Sequence, residues 1–217
     1  MNLNIDCNEL YKKCIYSSIA HAICVLKTPF LSYEQSWDGY NYSYIIGSSR
    51  GIISFNLDEN IFTGAVRNEK SERINWYPKF NAMNLYKGAP KKILRLAKNE
   101  TIEYLYDVVK GRKKPVVTVA FWGVDNIIHL SDTESIFILN GGELVAEILD
   151  CRDLKAYWKE TYESDEYEFK VIWQLYNLLE NKKMYIELKD FPVINKSCEG
   201  YEECLESLSE LGFIFYE

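Results

Sequence analysis

The first apolar positions along the chain recur at helical spacing. Ile15, Ile19, Ala22, Ile23 and Leu26 fall on one stripe and predict a helix over about residues 8–27. Asp6 and Glu9 supply an N-terminal cap pair, and Thr28-Pro29 stops the helix. Both faces are rather apolar, which marks a buried helix; His21 within it reads as a core or edge histidine, and Cys14 as a packing residue.

The period then changes to two. Residues 40–46 alternate Tyr40, Tyr42, Tyr44, Ile46 against Asn41, Ser43, Ile45, and residues 51–57 alternate Ile53, Phe55, Leu57 against Ile52, Ser54, Asn56. Gly47-Ser48-Ser49-Arg50 reads as a four-residue turn between them, and Asp58-Glu59 turns the chain into a third strand, 60–67. Direct closure of these turns sets Ser43 opposite Ser54 and Ser54 opposite Thr63, with Tyr42, Phe55 and Phe62 in a row on the other face. The aromatic face is expected in the core, and the face with Asn41, Ser43, Ser54, Asn56, Thr63 and Arg67 in water.

Residues 68–88 read as a long irregular connection. Gly88-Ala89-Pro90 opens a helix, and Asn99 caps a second stretch whose apolar face is Ile102, Leu105, Tyr106 and Val109, ending at Gly111. Residues 115–122 and 126–130 read as strands. Ser131 and Glu134 suggest a capping box, but Asn140-Gly141-Gly142 equally suits a hairpin turn, so 131–150 stays open between helix and hairpin. Phe169, Ile172, Trp173, Tyr176 and Leu179 mark a helix, residues 201–211 another, and 213–216 a last strand or packed tail. The expected fold class is α+β: an antiparallel β-meander extended into a larger sheet, helices packed on one face, and a helical C-terminal part. It forms one domain over 1–217, with a helical lobe from about residue 151 as the variant.

Composition adds a compartment and a charge pattern. The chain has 217 residues, 47% of them hydrophobic, with 17 Tyr, 10 Phe and 5 Trp, enough to build a core without disulfides or metals. The start lacks the pattern of a signal peptide, and no apolar stretch reaches the roughly 18 residues of a membrane span. A cytoplasmic protein with reduced thiols and no membrane partner is therefore expected. Net charge is −7, yet residues 79–114 carry ten basic and three acidic side chains, while 115–217 are strongly acidic. That balance disfavours a nucleic-acid partner. Either the segments neutralise each other, or the acidic surface steers a basic protein partner.

Candidate chemistry is sparse. The six cysteines contain no CxxC pair and there are two histidines, so neither a metal site nor any other cofactor is expected. No phosphate loop or nucleophile elbow is present, and no catalytic residue is assigned. His129 beside Ser131 and Asp132 is one place where acid–base work could sit. Asp38 and Glu72, near Arg67 and Arg73, are a carboxylate pair or a salt-bridge cluster. With Trp37 they define a polar pocket near the meander. That pocket is the alternative; the first candidate is Trp158, Glu160, Tyr162, Glu163, Asp165 and Glu166, aromatic anchors rimmed by carboxylates, as a protein-docking surface has.

The strings WDGYNYSY, SSRGIISF, GAVRNEKSERI, KGAP, VVTVAFWG and LNGGELV resemble an uncharacterised protein family of Gram-positive bacteria, which includes immunity proteins of secreted-toxin systems. The resemblance covers roughly residues 30–160. It implies a non-enzymatic binding protein that neutralises a bacterial toxin. A small-ligand-binding protein or hydrolase using the polar pocket is the other expectation, and oligomeric state stays open.

Overall fold

A computed structural model describes residues 5–77, 79–143, 145, 156, 159–160 and 162–216. Its contacts divide the chain into two units: Met1–Tyr11 with Asp38–Asp150, and Lys12–Trp37 with Cys151–Glu217.

Helix α1 (Cys7–Val25) starts where the cap pair predicts, with the Glu9 N–H donating to Asp6 Oδ1 at 2.6 Å. Leu10, Cys14, Ile15, Ile19, Ala20 and Ile23 are all buried, as an apolar-all-round helix must be. The strands follow: β1 (Gln35–Asp38), β2 (Asn41–Ile46), β3 (Ser49–Asn56) and β4 (Ile61–Asn68). After helix α2 (Lys91–Asn99) come β5 (Tyr106–Val109), β6 (Arg112–Pro115), β7 (Val119–Val124), β8 (Ile127–Leu130) and the short helix α3 (Glu134–Phe137). The last elements are α4 (Glu166–Glu180), β9 (Tyr185–Glu187), α5 (Tyr201–Glu210) and β10 (Ile214–Tyr216). The main sheet is six-stranded in the order β1-β2-β3-β4-β7-β8, antiparallel from β2 to β8, and the C-terminal part is helical: the fold is α+β. Among the described residues no helix is long and apolar enough to cross a membrane.

The β3–β4 register is as expected, with Ser54 opposite Thr63 and Phe55 opposite Phe62. The β2–β3 register differs by two residues. Gly47-Ser48 alone makes the turn, Gly47 taking a φ of +54°, so Ser43 faces Ile52 and Asn41 faces Ser54. A two-residue slip keeps each side chain on its face.

The second face of the sheet is the larger correction. Ser54 and Thr63, expected in water, are both 0% exposed. Residues 82–105 cover them, and Tyr86, Ile93, Ala97, Ile102 and Leu105 form one buried cluster with Ile52, Ala65, Ala120 and Trp122. The Thr63 hydroxyl meets that of Thr101, and the Tyr86 hydroxyl donates to the Gly64 carbonyl at 2.8 Å. The aromatic face is buried as well, including Tyr42, Tyr44, Phe55, Phe62 and Phe121. On it, three strand glycines sit opposite rings: Gly51 faces Tyr44, Gly64 faces Phe121 and Gly123 faces Phe62. A Cβ at any of these would fall within 2.3 Å of a ring atom, so each glycine is required by the ring that lies over it.

Two further expectations are corrected. The helical stretch ending at Gly111 is a single 3-10 turn, Thr101–Leu105, followed by the β5–β6 hairpin. The strand expected over 115–122 begins later: Pro115 ends β6, and β7 runs Val119–Val124. Over 131–143 the helix reading holds: α3 runs into a wide turn, Ile138–Gly142. The capping box does not form, because the Ser131 hydroxyl donates to Asp132 at 2.8 Å and accepts from the Ala120 N–H at 3.0 Å. The wide turn is fastened by side chains from three separated strings. Ser71 donates to Asn140 Oδ1, and Thr118 Oγ1 donates to the Asn140 carbonyl at 2.7 Å while accepting from the Asn68 N–H at 3.1 Å. Gly141, at φ +111°, closes against Asn68, Ser49 and Val66.

Candidate binding site

The clearest concavity among the described residues is built on the β2–β3–β4 meander. Its volume is ≈ 510 Å³, and Asp38, Tyr40, Asn41, Phe55, Asp58 and Glu100 are among its walls. Asp38-Gly39 makes the turn into β2, with Gly39 at φ +60°. The Phe55 N–H then donates to the Tyr40 carbonyl at 3.0 Å, which ties β3 to the β1–β2 turn. The ring of Tyr11 stands edge-on to Phe55 at 5.2 Å and lies 6.1 Å from Tyr40. Asp58 comes from the β3–β4 turn, and Leu96 and Glu100 from the end of α2.

Two of the three carboxylates are oriented by neutral donors. Tyr104 donates to Asp38 Oδ2 at 2.6 Å, and Asn41 Nδ2 to Glu100 Oε2 at 3.2 Å. Burial, then the hydrogen bond to Asp38 and the negative field of Asp38 and Glu100, push the Tyr104 phenol up to about 12. It therefore stays protonated and keeps donating at neutral pH. Among the described residues none of Asp38, Asp58 and Glu100 is paired with a cation. A shallower groove continues past Asn56, Leu96 and Glu100 to Lys92 and Arg95; there Arg95 is engaged by Glu59 at 2.7 Å. Carboxylates beside an exposed tyrosine ring suit a cationic group, since ring and charges attract the same ligand.

Of the polar pocket expected near the meander, only Asp38 lines this cavity. Trp37 is buried, its Nε1 donating to Ser18 Oγ at 2.8 Å. Arg67 binds Asp107 at 2.7 Å, Arg73 grips Asp132 through two 2.7 Å bonds, and Glu72 is exposed. Nearness in sequence misassigned these arginines, whose partners lie 40 and 59 positions away along the chain. The ion pairs do fix the segment after β4: Arg73 also donates to the Thr118 carbonyl at 2.7 Å and lies 4.9 Å from the Trp76 ring centre.

His129 lines a second cleft of ≈ 490 Å³ with Lys87, Trp122, Asp132 and Glu134. Its ring stacks on Trp122 at 5.5 Å. The Ser131 hydroxyl donates a hydrogen bond to Asp132, and the Arg73 guanidinium holds the Asp132 carboxyl below the usual carboxylate range. Ser131 and Asp132 thus serve the Arg73 latch, and no hydrogen bond joins either to His129.

The expected docking surface is only partly within view. Trp158 lies outside the described residues. Glu160, Glu163 and Glu166 are exposed, whereas Tyr162 is half-buried, accepting from Gln35 Nε2 at 3.1 Å with its ring 5.9 Å from His21. Asp165 is the N-cap of α4: its Oδ1 accepts from the Tyr167 and Glu168 N–H groups, both at 2.8 Å, and Glu168 returns a bond to the Asp165 N–H. The Asp-x-x-Glu spacing of a capping box was the signal for this structural role. From sequence alone Asn41, Phe55 and Asp58 have only strand and turn roles, and Glu100 and Tyr104 are passed over, because the five share no local motif.

No protein family, characterised protein or solved structure matches the chain.

Proposed function

We propose that this chain is a non-enzymatic binding protein whose site is the cavity on the meander, and that its partner presents a cationic side chain there. The observation that carries the reading is the arrangement of Asp38, Asp58 and Glu100 around the Tyr40 and Phe55 side, with Tyr104 and Asn41 aiming two of the carboxylates. A basic protein toxin neutralised by an immunity-type protein is the partner that the sequence resemblance implies, and its lysine or arginine side chains have the chemistry this cavity takes. A small cationic ligand is the second reading, supported by the concavity itself.

Titration with N-acetyl-arginine amide and N-acetyl-lysine amide, followed by NMR, tests the site. Saturable shifts are expected at residues 38–41, 55–58 and 96–104, and their loss in Asp38→Asn and Glu100→Gln. No saturable shift there, or equal shifts in the variants, overturns the assignment. Where a basic toxin is encoded beside the gene, the same variants separate the two partners: weaker toxin inhibition supports the protein, unchanged inhibition the small ligand.

A further inference from the structure

The β5–β6 hairpin carries a second charged surface, of opposite sign. Its strands are joined by two residues, Lys110 and Gly111, with Val109 paired to Arg112. Both turn residues have positive φ, +50° and +74°, as a type I′ turn demands. Gly111 meets that demand without strain. Lys110 does not, and Asn, Asp or Gly is favoured at its position. The tip therefore holds a cation at some cost in backbone strain. Arg112, Lys113 and Lys114 follow directly.

The cross-strand register sorts these side chains. Val108 pairs with Lys113 and Tyr106 with Pro115, so these four share one face. Lys113 Nζ lies 4.9 Å from the Tyr106 ring centre, and Val108 is 70% exposed. Asp107 points to the other face, where Arg67 binds it at 2.7 Å and anchors the base of the hairpin. Lys110, Arg112 and Lys113 form no ion pair among the described residues.

We propose that the β5–β6 hairpin docks an acidic polypeptide segment, with Val108 and Tyr106 as the apolar contact, Lys113 on the same face and Lys110 at the tip as the charged groups. An exposed valine amid cations suits a chain that brings both carboxylates and apolar side chains. A nucleic acid or an anionic membrane extends its charge well past so small a patch, whereas a short acidic segment need set only a few carboxylates against it. The hairpin and the cavity bind opposite charges through different residues, so neither assignment depends on the other.

Fluorescence anisotropy with a labelled peptide of alternating glutamate and leucine tests the proposal, at low salt and at about 0.15 M. Saturable binding that salt weakens is expected. Lys110→Gly should weaken it several-fold while thermal stability is kept or rises, because glycine relaxes the turn. Lys113→Gln should reduce it further. The proposal is overturned if the peptide does not bind at low salt, if these variants bind it as the parent does, or if duplex DNA or phosphatidylserine vesicles bind more tightly than the peptide.

Discussion

Replacing Gly64 by alanine should destabilise the protein, although the backbone alone favours the change. Gly64 is not in the left-handed region, so alanine fits the strand and, by restricting the unfolded chain, contributes about 0.4–1 kcal/mol of stability. Against this, the new Cβ would lie 2.0 Å from Phe121 Cζ, where carbon atoms pack best at about 3.5–4.0 Å. The Phe121 ring is buried and boxed in by Phe62 at 6.3 Å and Phe137 at 5.9 Å, so it cannot swing clear without moving them. Overpacking of this kind costs about 1–3 kcal/mol, leaving a net loss of about 1 kcal/mol at the centre of the two ranges. Urea unfolding of Gly64→Ala, Phe121→Leu and the double variant measures it. The double variant should be less destabilised than the two single losses added together, because leucine vacates the space that the methyl needs. A Gly64→Ala protein as stable as the parent, or strictly additive losses, would refute the argument that the ring requires the glycine.

Two further outcomes are expected. Burial holds the His21 imidazole down to about 4, so between that value and the ordinary 6.5 the unfolded chain binds a proton that the folded chain does not. Stability should therefore fall as pH drops from about 6.5 towards 4, by a few kcal/mol in total at about 1.4 kcal/mol per unit; His21→Gln should flatten that part of the pH–stability curve, and an unchanged slope counts against the assignment. Among the thiols of the described residues, half-buried Cys198 should label first in the native protein, with Cys7 and Cys204 reacting only on unfolding; burial pushes Cys7 up to about 12 and raises Cys204 also. Peptide mapping after maleimide treatment checks this order, and equally fast labelling of Cys7 would contradict its burial.

The meander was readable because alternation of aromatic and small polar residues is a local property. What alternation cannot show is whether a distant segment covers the second face. Ser54 and Thr63 looked like solvated positions until residues 82–105 were seen packed over them. The hairpin was misread for a related reason. Ile102, Leu105, Tyr106 and Val109 do recur at helical spacing, yet Ile102 and Leu105 belong to a 3-10 turn, and Tyr106 and Val109 to a strand. The β-favouring run Tyr106–Val109, followed by Lys110-Gly111, is the competing local signal, and it is the one the chain follows.

The candidate site was less legible because its carboxylates come from the β1–β2 turn, the β3–β4 turn and the end of α2. Only Asp38 was singled out, and it was grouped with arginines that the fold sends elsewhere. The same limit affects the acidic surface near α4. Asp165 looked like a docking carboxylate because it is acidic and near Tyr162. Yet its Oδ1 accepts two backbone N–H groups, which lower its carboxyl from the usual range. Charge reversal at Asp165 would remove the cap of α4, and any lost partner would then report a damaged helix. Glu160, Glu163 and Glu166 are exposed and form no part of the cap, so they carry that test instead. Reversal of these three, set beside Asp38→Asn and Glu100→Gln, asks which acidic surface a basic partner uses. Binding lost only on reversal of the three would move the site to α4, whereas binding lost only in the cavity variants would keep it on the meander.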